Sequence, residues 1–264
     1  MPERVWVYLD LPLTITVKGP LHIGTGYDRG LIQRVVVRER VMIGRRTGDR
    51  KKENVARHVY IPGSGLKGKV RSACEDLARL AGLEPCGAPQ PLTMCGRDRD
   101  EYCLVCRVFG APGGNVPDGR EFYWQDAHLT TQSRKEASIE GQPWGQTMER
   151  TQVQLSRARG TAAEDRLYTS EFAAPGLTFA GRVSGWLEAT PCSVDCGYYE
   201  VNLLLAGLQM VNMLGGGRSR GAGQCQIALP DKVSLRVEGE DEPETYPVAD
   251  LLAAAASLGL YVEE

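Results

Sequence analysis

The stretch YIPGSGLKGKVRSACEDLARLAG, from Tyr60 to Gly82, constrains the fold more than any other part of the chain. VYIPG reads as a short strand that stops at Pro62, because proline has no N–H to give a sheet ladder. Ser64 is placed to cap a helix. The apolar positions Leu66, Val70, Ala73, Leu77 and Leu80 then recur at helical spacing until Gly82 ends the run. Leu66, Val70 and Ala73 anchor that helix to a sheet, while Lys67, Lys69 and Arg71 ride on its first turns. Two readings follow for the glycine-rich, cationic turn: a plain strand–turn–helix connection, or a cradle that offers free N–H groups and positive charge to a phosphate.

The rest of the chain sets this unit in an α+β frame. Val5–Val17 reads as a strand, followed after Gly19-Pro20 by Leu21–Ile23. LIQRVVVRERVMI reads as a strand or hairpin, EFYWQDAHLT as a strand, and LYTSEFAAPGLTFAGRVSGWLEA as two strands about Pro175-Gly176. YYEVNLLLAGLQMVNML is a helix, QCQIALPDKVSLRVEG a strand pair and VADLLAAAASLGLYV a short helix. The coarse order β, α, β, β, α, β matches a ferredoxin-like, split βαβ pattern rather than a doubly wound sheet. No linker divides the 264 residues, so one domain is expected over 1–264. It carries insertions at about 44–58 (a basic loop), 84–106 (a cysteine segment) and 128–162 (a polar, projecting hairpin or loop). The N-terminus lacks the pattern of a signal peptide, and no apolar run approaches the ~18–20 residues of a membrane span, so a cytoplasmic protein with reduced cysteines is expected.

Four of the eight cysteines, Cys86, Cys95, Cys103 and Cys106, fall in one turn-rich segment with little to pack. Cys103-x-x-Cys106 is a chelating pair, and the other two complete a four-sulfur set for a structural Zn2+ with no open position for water. Free thiols or a lone Cys103/Cys106 redox pair are the alternatives, but a redox pair belongs at a helix start after a strand. Cys74 and Cys225 read as core, and Cys192-x3-Cys196 as small loop cysteines or a second site with unknown partners.

The formal net charge of -2 hides an uneven distribution. Nine Lys or Arg lie between Arg45 and Arg71 against Asp49 and Glu53, while Glu238–Glu244 holds five acids and no base. A second glycine-rich cationic loop, GGGRSRGAG, spans Gly215 to Gly223. Neither loop is a nucleotide P-loop, and GSGLKG matches the dinucleotide fingerprint without the βαβ context or the following acid. Two such loops in one chain, one of them beside a basic segment, favour a polyanion.

YIPGSGLKGKVRS, CRVFG, LYTSEFAAPGLTFAGRVSG and GGGRSRGAGQCQI, in this order, resemble the RAMP superfamily of CRISPR proteins, above all the repeated backbone subunit of type III (Csm/Cmr-type) effector complexes. The resemblance covers roughly Val5 to Ile227. It implies an RNA-recognition-motif-type core with a zinc-binding segment and a thumb-like hairpin, assembled with neighbouring copies or paralogues along a guide crRNA. It implies that Ser64, Lys67, Lys69 and Arg71, and Gly216, Arg218, Ser219 and Arg220, contact guide-RNA phosphates. QLSRARG resembles a family strand that carries Arg157 over as an RNA contact. Catalytic members cut complementary target RNA with an aspartate after the first strand, here Asp28, and need a divalent ion such as Mg2+; Arg29-Gly30 departs from the family's usual small residue and proline. His22, six residues upstream, is an assistant or a structural histidine, and Trp144 or Met148 is an apolar wedge of the hairpin or a contact with the neighbouring subunit. A non-catalytic RNA-binding subunit of the same complex is the alternative, and a zinc-bearing domain for another anion is a third.

Overall fold

The computed structural model describes residues 4–26, 32–43, 54–96, 102–114, 120–139, 142–192 and 197–260. β1 (Val5–Val17) is the axis of its main sheet. Val7, Leu9, Leu11, Leu13, Ile15 and Val17 are all buried, while the residues between them point to the opposite face, as a period of two requires. β9 (Thr178–Ala189) runs antiparallel beside β1 from the pair Val5–Ala189 to the pair Thr16–Thr178.

The outer strands come in broken pairs. β10 (Cys225–Ala228) and β11 (Lys232–Val237) both lie on the free edge of β1, β10 against Thr14–Val17 and β11 against Val7–Leu9. They are laid end to end on β1, which corrects the expectation that they pair with each other. On the other side β5 (Phe122–Trp124) and β6 (Ala127–Leu129) sit end to end on β9. The order β10/β11–β1–β9–β5/β6, with α1 (Gly63–Leu80) and α4 (Tyr199–Met210) as the two crossovers, is the split βαβ arrangement. β4 (Asn54–Ile61) extends the sheet beyond β6, β3 (Arg38–Ile43) pairs with β4, and β12 (Glu244–Pro247) extends the far edge beyond β11. β4 therefore takes Asn54–His58 out of the expected basic loop; residues 44–53 lie outside the described residues.

Both crossover helices pack on one face of the sheet. Leu66, Val70, Ala73, Cys74 and Ala78 of α1 are buried, as are Val201, Leu203, Leu204, Leu205 and Leu208 of α4. Burial of each large side chain contributes about 1.5–3 kcal/mol. The helices touch so closely at Gly207 that a Cβ there would lie 2.3 Å from the Cys74 sulfur. α4 is apolar nearly all round because α1, α5 (Val248–Ala254) and the short α2 (Leu104–Phe109) enclose it. The sequence reading missed α2, whose six residues are all buried.

A smaller sheet stands apart, in the order β2 (Ile32–Arg34), β8 (Ala162–Ala173), β7 (Thr147–Leu155). β7 and β8 form a long hairpin, rooted where Leu21 bridges to Ala173 and exposed at its far end, where Val153, Leu155 and Leu167 face solvent. The hairpin thus runs from Thr147 to Ala173 rather than within 128–162. The residues before it form α3 (Thr131–Glu136) and a 3-10 turn, Pro143–Gln146, whose Gln146 amide is buried against the Val59 N–H and the His58 ring. Among the described residues no helix is long and apolar enough to cross a membrane.

Candidate nucleic-acid interface and metal centre

α1 begins two residues earlier than the sequence suggests. Pro62 holds the cap position, so Ser64 lies inside the helix and does not cap it. Asp126, from the break between β5 and β6, caps it instead by accepting the Gly63 N–H at 2.8 Å. Gly63 is obligatory there, since a Cβ would sit 2.1 Å from the Trp124 carbonyl oxygen.

One face of α1 is bare. Gly65 and Gly68 have nothing within 4 Å of where a Cβ would stand. With Lys69 and Ser72 they form one wall of a cleft of about 360 Å3, and Met213, Leu214, Gly215 and Arg218 form the other. The two glycine-rich loops, about 150 residues apart in sequence, therefore meet across one groove. The second loop is shaped by Gly215 (φ +71°) and Gly223 (φ +91°), where a Cβ would come within 2.3 Å and 2.2 Å of the carbonyl oxygens of His22 and Leu214.

The three cations of α1 part company. Residues two apart on a helix do not share a face, whereas residues four apart do. Lys69 looks into the groove. Lys67, on the other side, lines a separate cleft of about 310 Å3 with Phe109, Arg120, Tyr123 and Trp186. Burial, then repulsion from Arg71, holds its ammonium below the usual lysine range. Arg71 is committed to structure. It donates to Glu75 at 3.0 Å, to the Gly110 carbonyl at 2.9 Å and to the Cys106 sulfur at 3.2 Å. The three cations of the first turns of α1 therefore do not share one surface.

The cysteine segment folds onto that same side. The sulfurs of Cys86, Cys95, Cys103 and Cys106 all lie within 4.8 Å of one another. An ion bound to four thiolates at ~2.3 Å in a tetrahedron holds them ~3.8 Å apart, so the cluster can hold a metal ion. A hydrogen bond from the Cys106 thiol pulls Cys103 down to about 4, while burial pushes Cys95 up to about 11. Arg107 of CRVFG is buried and lies near the fully buried Glu200, so it braces the segment against α4. Cys74 and Cys225 are buried as expected; Cys192 is half-buried, and Cys196 lies outside the described residues.

A family model of the RAMP superfamily matches residues 14–226. The chain belongs to the RAMP superfamily. Membership makes it a CRISPR-associated protein of an RNA-binding family whose members generally bind CRISPR RNA within multi-subunit complexes. A search of curated proteins finds no match. In this RAMP protein the remaining expected site residues scatter. Gly216 and Arg220 turn away from the groove, towards the β7–β8 hairpin. Ser219 is exposed beside them. Arg157 is exposed in the turn at the tip of the hairpin, not in a strand. Trp144 is 71% exposed, whereas Met148 is partly covered opposite Phe172. Asp28 lies outside the described residues. The segments that flank it are firmly held. His22 donates through Nδ1 to the Glu171 carbonyl at 2.8 Å, and the Glu171 carboxylate accepts from Arg38 and from the Val36 N–H at 3.1 Å.

Proposed function

We propose that this RAMP protein is a crRNA-binding backbone subunit of a type III CRISPR effector complex, which binds and cleaves complementary target RNA in antiviral defence in the cytoplasm. The observation that carries the reading is the groove in which Gly65, Gly68 and Lys69 face Gly215 and Arg218. Absent side chains let a polyanion backbone approach the helix closely, and the two cations neutralise its phosphates. Lys69 and Arg218 thus contact the guide directly; Lys67 attracts it from the adjoining cleft, and Ser64, Gly216, Ser219, Arg220 and Arg157 lie along its outer path. The β7–β8 hairpin serves as the thumb between neighbouring subunits, and Trp144, exposed on the 3-10 turn that leads into its root, is the apolar candidate for a wedge.

The four-cysteine cluster holds a structural Zn2+ that orders the segment around α2. For cleavage, the Asp28 carboxylate takes the proton of the target's 2'-OH, which attacks the adjacent phosphorus and expels the 5'-oxygen, leaving a 2',3'-cyclic phosphate. A divalent ion such as Mg2+ would supply charge neutralisation at that phosphate.

The test is a reconstituted complex. Lys69→Ala with Arg218→Ala is expected to weaken guide binding at any sequence and to flatten its dependence on salt. Wild-type affinity and slope would reject the groove. Asp28→Ala is expected to abolish target cleavage with binding intact; undiminished cleavage opposite this subunit would leave it an RNA scaffold without catalysis.

A further inference from the structure

On the far flank of the glycine-rich loop lies a second pocket, built from residues that the groove does not use. β8 is the middle strand of the small sheet, and Ser170 on it stands in register with Arg34 on β2 and with Arg150 on β7. Arg220 closes over the same face from the loop and donates to the Tyr168 hydroxyl at 2.9 Å. Three guanidiniums thus line one pocket with His22, Ser170 and Phe172, and among the described residues no carboxylate lines it. Glu171, next in sequence to Ser170, turns to the opposite face and is taken up by Arg38. Aromatic rings hold the arginines in place: Arg34 lies 5.4 Å over Tyr168 and Arg150 5.6 Å over Phe172.

Like charges facing one another across strands repel, so this arrangement calls for an anion between them. The Ser170 hydroxyl points the same way. Its residue is 2% exposed, and its oxygen has no hydrogen-bond partner among the described residues. The enclosed part of the pocket is about 20 Å3, enough for one oxygen atom, since a water needs ~10–15 Å3.

We infer that this pocket is a second phosphate subsite on the RNA path. One non-bridging oxygen of a phosphodiester enters it and accepts from the Ser170 hydroxyl, while Arg34, Arg150 and Arg220 neutralise the charge. The inference rests on the RNA-binding reading above and extends it; the phosphate comes from the guide or from the paired strand.

The probe is a labelled single-stranded RNA of about 30 nucleotides, alone or annealed to its complement, titrated at several salt concentrations against the full chain. Ser170→Ala should unfold at no lower temperature than wild type, because it removes a buried hydroxyl with no partner, yet bind RNA about tenfold more weakly. Arg150→Gln should lower the salt slope by about 0.7. A loss seen with the single strand assigns the phosphate to the guide, and a loss seen only with the annealed RNA assigns it to the complement. If both variants bind either RNA like wild type while Lys69→Ala is weakened, the subsite is wrong and the RNA reading stands. If the wild-type chain binds neither RNA, both fall.

Discussion

Helix α1 has two cationic sides with opposite fates. On one, Lys69 stands beside two glycines at which a Cβ would meet nothing within 4 Å, at the edge of an open groove. On the other, Arg71 is spent on a carboxylate, a carbonyl and a cysteine sulfur. They stand two positions apart, and the half-turn between makes one a ligand-seeking charge and the other a brace. A cation in a glycine-rich motif is therefore not a phosphate contact by virtue of its place in the motif; what decides is whether the protein already satisfies it.

The sharpest way to break this comparison is through the metal centre. Cys106→Ser removes one sulfur of the four and the anchor for Arg71 at once. If the segment depends on a bound ion, the variant should lose its metal and several kcal/mol of stability, with α2 released first. The checks are metal content after dialysis and amide exchange across Leu104–Phe109. Undiminished protection there would mean that α2 stands without the ion. Cys95→Ser should lose the metal too but spare the Arg71 contact, so it separates the two contributions.

Next in size is Arg71→Ala against Lys69→Ala. Arg71→Ala strands the buried Glu75 carboxylate and leaves the Gly110 carbonyl without this donor, and should cost about 2–3 kcal/mol. Lys69→Ala should change stability by less than about 0.5 kcal/mol while weakening RNA binding. Denaturant melts and an RNA titration on the two variants give a crossed result if the two sides differ in kind. Equal effects on both readouts would erase the distinction.

Much of the fold is legible in local sequence patterns. The alternation of β1, the apolar stripe of α1, the largely apolar run of α4 and the clustered cysteines are such patterns, and each corresponds to an element or a cluster that is present. What local patterns do not carry is partnership. Nothing local says that β10 and β11 share β1 as a common neighbour, or that Asp126 rather than Ser64 caps α1. The partners of Arg71 lie up to 39 residues away, and its fate depends on where the cysteine segment folds back. Arg34 and Arg150 belong to no motif, and only the register of three strands brings them to Ser170. Burial of Arg107 follows the same rule, because α4, which covers the CRVFG element, is distant from it in sequence.

The smallest expected effect on stability gives the cleanest view of the bare side. Gly68 sits inside α1 with open space beside it, so Gly68→Ala meets no atom. A helix-interior glycine costs about 0.5–1 kcal/mol relative to alanine, so the variant should melt slightly higher than wild type. If the groove were merely a gap between loops, evolution of a better helix there would carry no penalty. If an RNA backbone lies against the helix, a larger side chain at the same position must push it away. Gly68→Leu should therefore keep the fold, because leucine is also a strong helix former, and yet weaken RNA binding more than Lys69→Ala does. A stable Gly68→Leu protein with wild-type affinity would show that the RNA does not approach α1 there, and would move the guide to the arginine pocket alone.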